Sequence, residues 1–151
     1  MKELKLNKGQ TAKVSDEDFE YYNQWNWSAM WCESTQSFYA TRKQNKTTIL
    51  RHREIINTPK GLLCDHINHD TLDNQRHNLR NVTRSQSQMN RRTNINNKLG
   101  ETGIYMNKNK FVVQIVKERK VVFTKRFSTM EDAIVARDLA KEKYHGKFAN
   151  Q

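Results

Sequence analysis

The stretch from Cys64 to Asn90, CDHINHDTLDNQRHNLRNVTRSQSQMN, limits what this chain can fold into more than any other. Asp65 and His66 follow Leu62-Leu63 and precede Ile67, which predicts a short strand. The loop from His69 to Asn74 is built of turn formers whose side chains bond their own backbone. Asp70 and Asp73 there are candidate cation ligands, with loop bracing as the plainer role. Asn78 to Thr83 reads as a second strand. Thr83 or Ser85 then caps a helix that runs to about Arg92. A carboxylate beside an imidazole, followed by amides and a basic helix, contains the parts needed to hydrolyse a phosphodiester. The carboxylate can hold a hard cation through oxygen, the imidazole can take a proton from water near neutral pH, and arginines can neutralise phosphates.

Composition agrees with that chemistry. Only 35% of the 151 residues are apolar and mean hydropathy is -1.00, which predicts small modules rather than one large core. Lysine and arginine outnumber the acids 27 to 16, for a net charge of +11. With no apolar run able to span a bilayer and no secretory pattern, the charge points to nucleic acid rather than membrane. The plainer alternative is a soluble basic protein. Cys32 and Cys64 lie far apart without a Cys-x-x-Cys, so structural zinc and disulfides are not expected, and a reducing cytoplasm fits.

Residues 1–57 read as a β-rich module. Leu4 and Leu6, then Ala12 and Val14, suggest two strands around Lys8-Gly9. Asp16 to Asp18 suit the first turn of a helix before Phe19, Tyr21 and Tyr22. Trp25, Trp27, Met30 and Trp31 are the core of a small sheet or a base-stacking cluster. Phe38 to Ala40 and Thr48 to Leu50 predict two more strands joined by the basic loop Arg42 to Lys46. His52, between Leu50 and Ile55-Ile56, is expected as a hydrogen-bonded packing histidine, with metal or phosphate contact as its alternative. Residues 93–102, rich in asparagine, are a linker or an arm that orders along a DNA groove.

From Gly103 the pattern becomes three strands, Gly103 to Tyr105, Lys110 to Val116 and Val121 to Phe127, with basic turns between them. Ser128-Thr129-Met130-Glu131 predicts a capping box. Ala133, Ala136, Ala140 and Tyr144 then mark one helix face, and Gly146 is a stop. The predicted outer face of this sheet, with its turns, carries Lys108, Lys110, Arg119, Lys120, Lys125 and Arg126, at a width suited to the major groove.

The Asp65-His66, Asn78 and helix pattern resembles the HNH motif of ββα-metal nucleases, and residues 58–92 are its expected extent. The resemblance implies that Asp65 ligates a divalent metal, that His66 is the general base and that Asn78 ties the loop and helps orient the histidine. The last motif position, normally His or Asn and the second protein ligand, falls on Ser87, with Asn90 three residues on as a substitute. Arg80, Arg84, Arg91 and Arg92 are candidate phosphate contacts. Trp27, Tyr39-Ala40 and His52-Arg53 resemble the segment that often precedes such motifs in phage and bacterial genes. Residues 103–151 resemble the plant ethylene-response-factor type of DNA-binding domain through Gly103-Ile104-Tyr105, Phe111-x-Val113-x-Ile115, Phe127-x-Thr129-x-Glu131-x-Ala133 and Tyr144-x-Gly146-x-Phe148-Ala149-Asn150. Phe111 stands there for tryptophan and Lys125-Arg126 for Leu-Gly.

Together these predict an α+β chain: β-rich module, ββα core, Asn-rich linker, and a three-stranded antiparallel sheet packed on one helix. The implied protein is a homing-type endonuclease, a monomer acting on double-stranded DNA in a bacterial or phage-infected cytoplasm. It would use one Mg²⁺ or Mn²⁺ and no small-molecule cofactor. The alternative is a sequence-specific DNA-binding protein whose nuclease core is weakened by Ser87.

Overall fold

The computed structural model describes residues 1–91 and 96–149. Arg92 and residues 93–95, named above as a phosphate contact and part of the arm, lie outside the described residues, as does Asn150. The chain forms two compact units, Met1–Thr83 and Arg84–Gln151. The architecture is α+β, with several small sheets.

The first unit starts with a hairpin, β1 (Lys2–Lys5) and β2 (Thr11–Val14), turned by Lys8 and Gly9 at positive φ. Helix α1 (Asp16–Asn23) follows, its three acids in the first turn where the helix dipole favours them. Strands β3 (Ser28–Cys32), β4 (Ser37–Gln44) and β5 (Thr47–Leu50) form an antiparallel meander. β4 extends further than the sequence suggests, because Asn45 and Lys46 both take positive φ and close a two-residue hairpin. The expected loop therefore shrinks, and Arg42 sits within the strand. A short helix, α2 (Arg51–Ile55), occupies the segment that apolar patterning left unassigned.

The central motif follows. β6 (Leu63–His66) pairs antiparallel with β8 (Leu79–Val82), with Asp65 opposite Arg80 and His66 opposite Leu79. Between them a two-residue strand, β7 (Asp73–Asn74), pairs in parallel with β2 of the first hairpin. Asn78 closes a 3₁₀ turn, so the second strand starts one residue later than predicted. An apolar cluster joins the first hairpin, α1, α2 and β8: Leu4, Val14, Tyr22, Trp27, Ile55 and Leu79.

Trp27 is thus a core residue, and its indole donates to the Tyr22 carbonyl at 2.8 Å. Met30 and Trp31 are each 39% exposed and do not join it. Arg51 is fully buried, its guanidinium 4.1 Å above the Trp27 ring and without a hydrogen-bond partner. Burial pushes it down to about 9, which leaves it cationic at neutral pH and held by the indole face.

The second unit contains α3 (Arg84–Met89) and the sheet β9 (Ile104–Asn107), β10 (Lys110–Lys117) and β11 (Lys120–Phe127), ordered β11-β10-β9, followed by α4 (Met130–His145). Ile104, Val113 and Ile115 pack with Ala133 and Ala140, so the alanine face of α4 meets the sheet as expected. The helix cap differs in detail. Thr129, not Ser128, accepts from the backbone of Asp132 at 3.2 Å. One basic residue also departs from the predicted outer face. Lys125 pairs with Val113 and therefore shares the helix-facing parity, on the edge strand. Arg126, opposite Val112, has the outer parity, and so has Lys110, opposite Asn107.

Candidate active site

Asp65 and His66 are consecutive residues at the end of β6, opposite Arg80 and Leu79 of β8. The Asp65 carboxylate is only 13% exposed and faces its cross-strand partner: Arg80 donates through Nε to Oδ2 at 2.9 Å, and Nη2 lies at the same distance. Arg80, expected as a phosphate contact, is here an ion-pair partner of the expected metal ligand.

His66 is buried, at 6% exposure. Burial holds its imidazole below the usual histidine range, opposed by the hydrogen bond to Asn74 and by Asp65, Asp70 and Asp73. It is therefore neutral at pH 7 and able to accept a proton. Its Nε2 is 3.2 Å from Asn74 Oδ1. Two aromatic rings wall it in. His52 stands edge-on with its centroid 5.0 Å away, and Tyr39 lies 6.3 Å away. His52 is 5% exposed and packs as anticipated, but its Nδ1 has no hydrogen-bond partner, contrary to the expectation of a hydrogen-bonded ring.

Asn78 braces the loop between the strands. Its Oδ1 accepts from the backbone of Asn68 at 3.0 Å, and its Nδ2 donates to the carbonyl of Asp73 at 2.8 Å. The two aspartates of the loop are also engaged in bracing. Asp73 accepts from Asn68 and Gln75, and Asp70 accepts from Leu72. Asp18 of α1 receives Arg76 through two bonds, 2.9 and 2.7 Å, and so reaches the same loop from outside the motif.

Asp65, His66, Asn78 and Arg80 are thus brought together in the first unit. Ser87 is half-buried on α3 and Asn90 is buried just beyond it, both in the second unit, where Arg84 and Arg91 are exposed. Lys108, Lys110, Arg119, Lys120, Lys125 and Arg126 are exposed in that unit also. Sequence reasoning missed Asn74, which it read as a turn former. The signal that could have found it is position: an amide eight residues after a histidine, at the far end of a loop whose start is that histidine.

Among the described residues, no three His, Cys, Asp or Glu side chains group into a metal cage. A cation held by one carboxylate, neutral protein oxygens, water and a phosphate needs no such cage. Asp65 offers carboxylate oxygen beside an imidazole, and this donor chemistry fits a hard divalent ion rather than a thiophilic one.

The paired strands β6 and β8 thus hold a buried histidine whose chain neighbour is a carboxylate. Residues 57–89, from the end of α2 through α3, match the HNH endonuclease family, which supports a nuclease of the HNH type and implies DNA as substrate. No curated protein and no solved structure matches the chain.

Proposed function

We propose that this chain is a divalent-metal-dependent endonuclease of the homing type, hydrolysing phosphodiesters of double-stranded DNA. The observation that carries the reading is the neutral, buried His66 beside Asp65, on a loop braced by Asn78. His66 takes a proton from water. The resulting hydroxide attacks phosphorus, the P–O3′ bond breaks, and the 3′ oxygen leaves and takes a proton from solvent. Asp65 would hold a Mg²⁺ or Mn²⁺ ion, and in the motif's order the second ligand position falls on Ser87, with Asn90 three residues on. When bound, that ion supplies positive charge to the scissile phosphate and the leaving oxygen. Arg80, once released from Asp65, or Arg84 neutralises phosphate oxygens. The basic sheet-and-helix segment from residue 103 docks on duplex DNA in the manner of the ethylene-response-factor domains it resembles.

The test is cleavage of supercoiled plasmid with Mg²⁺, Mn²⁺ or EDTA. His66→Ala should lose about two to four orders of magnitude in cleavage rate while DNA binding persists. Normal cutting by that variant would refute the mechanism. A second reading, a DNA-binding protein with a weakened core, is favoured by one observation: the Asp65 carboxylate is already paired with Arg80. Ser87→Asn separates the two. A large gain in cleavage means an impaired wild type, and no gain means that Ser87 serves.

A further inference from the structure

The contact between His66 and Asn74 fixes more than the direction of a ring. Asn74 is fully buried on β7, and its Nδ2 donates to the Leu72 carbonyl at 3.3 Å. A carbonyl cannot donate, so this bond sets which end of the Asn74 amide is which. Oδ1 is therefore the atom that meets His66, and an amide oxygen can only accept. Nε2 of His66 must then carry the hydrogen, and in a neutral imidazole the lone pair falls to Nδ1.

The backbone around Asn74 has little freedom to change that arrangement. Asn74 pairs with Val14 of β2, its neighbour Asp73 pairs with Lys13, and the Asp73 carbonyl accepts from Asn78. His52 and Tyr39 lie against the His66 ring and oppose its rotation. His52 adds no charge, because burial with His66 and Arg53 nearby pushes it down to about 3.

We propose that Asn74 is a positioning residue for His66: its side-chain oxygen holds the imidazole as the Nε2–H tautomer and thereby presents Nδ1 as the nitrogen that accepts the proton from water. The catalytic purpose rests on the nuclease reading above, whereas the tautomer assignment does not. Asn78, expected to orient the histidine, does so only indirectly, by holding the loop on which Asn74 sits.

The experiment is ¹⁵N NMR of the His66 ring in the full-length protein, paired with single-turnover cleavage, on wild type, Asn74→Leu and Asn74→Asp. The wild type should show the Nε2–H tautomer. Asn74→Leu, nearly isosteric without an acceptor, should show mixed tautomers and cleave about ten- to a hundredfold more slowly, with KM for DNA unchanged. Asn74→Asp keeps an acceptor in place, so it should retain the tautomer, move the Nε2 proton downfield and recover most of the rate. An Nδ1–H wild type would overturn the proposal, and so would an unchanged tautomer in Asn74→Leu. If Asn74→Leu does not fold, Asn74→Asp decides: an unmoved Nε2 proton overturns the contact. A wild type that shows the Nε2–H tautomer and loses it in Asn74→Leu, yet never cuts DNA, upholds the Asn74 assignment and sinks the nuclease reading instead.

Discussion

Acid should unfold the first unit by way of His52. This ring is buried against His66 and Tyr39, and its proton affinity falls from an unfolded value of 6.5 to about 3 in the fold. A group held neutral by the fold contributes stability that is fully present above pH 6.5 and is lost as pH falls towards 3. The whole span corresponds to at most about 5 kcal/mol, and by pH 4.5 about 2–3 kcal/mol should be gone. That is a large share of the 5–15 kcal/mol that typically separates folded from unfolded chains. The assay is urea unfolding followed by tryptophan fluorescence from pH 7.5 to 4.5, since Trp27 reports on the core of this unit. His52→Phe keeps an aromatic wall against His66 and removes the titrating group. Its stability should fall less steeply with acid than the wild type's, whatever its value at pH 7.5. His66, also depressed by burial, titrates in both proteins, so the difference reads His52 together with its coupling to His66. Parallel curves would refute the argument, because they would mean that the buried ring is protonated without cost.

Two further outcomes follow from packing and charge. Arg76→Ala removes both bonds to Asp18, which is 5% exposed and would be left without its cation. The loss should be about 1–3 kcal/mol by urea unfolding, and an unchanged midpoint would mean that water takes the place of the guanidinium. Gly103→Ala places a Cβ 3.3 Å from the Gln114 carbonyl at φ +80°, a region that side chains seldom adopt. It should cost the second unit about 1–3 kcal/mol, whereas Gly100→Ala, with open space around it, should cost less.

Much of this fold is legible in the sequence because it follows local rules. The alternation of Phe111, Val113 and Ile115 gives a strand, and the alanines at 133 and 140 mark the packed face of a helix. Lys8-Gly9 turns a hairpin where turn residues predict one. What the sequence hides is non-local. Asp73 and Asn74 look like loop formers, yet they pair with Lys13 and Val14 some sixty residues earlier, and no periodicity signals a two-residue strand. Helix α2 is too short for a helical repeat to declare itself. In the site, Asp65, His66 and Asn78 could be named because they recur in a recognisable order. Asn74 could not, since it acquires its role only from a partner that folding delivers, and His52, legible as a packing ring, could not be placed against His66.

The pairing of β7 with β2 bears on how this catalytic segment could be moved. Residues 57–89 look like a cassette, self-contained enough to be grafted into another scaffold. But the strand that carries Asn74 is hydrogen-bonded to Lys13 and Val14, and the Arg76 backbone N–H donates to Ser15 Oγ at 3.0 Å. A transplant of the motif alone would leave behind the edge on which its histidine's partner hangs. A portable unit must therefore begin at the first hairpin rather than at residue 57, and a host scaffold would have to supply an extended edge in the place of Thr11–Val14 to accept anything smaller.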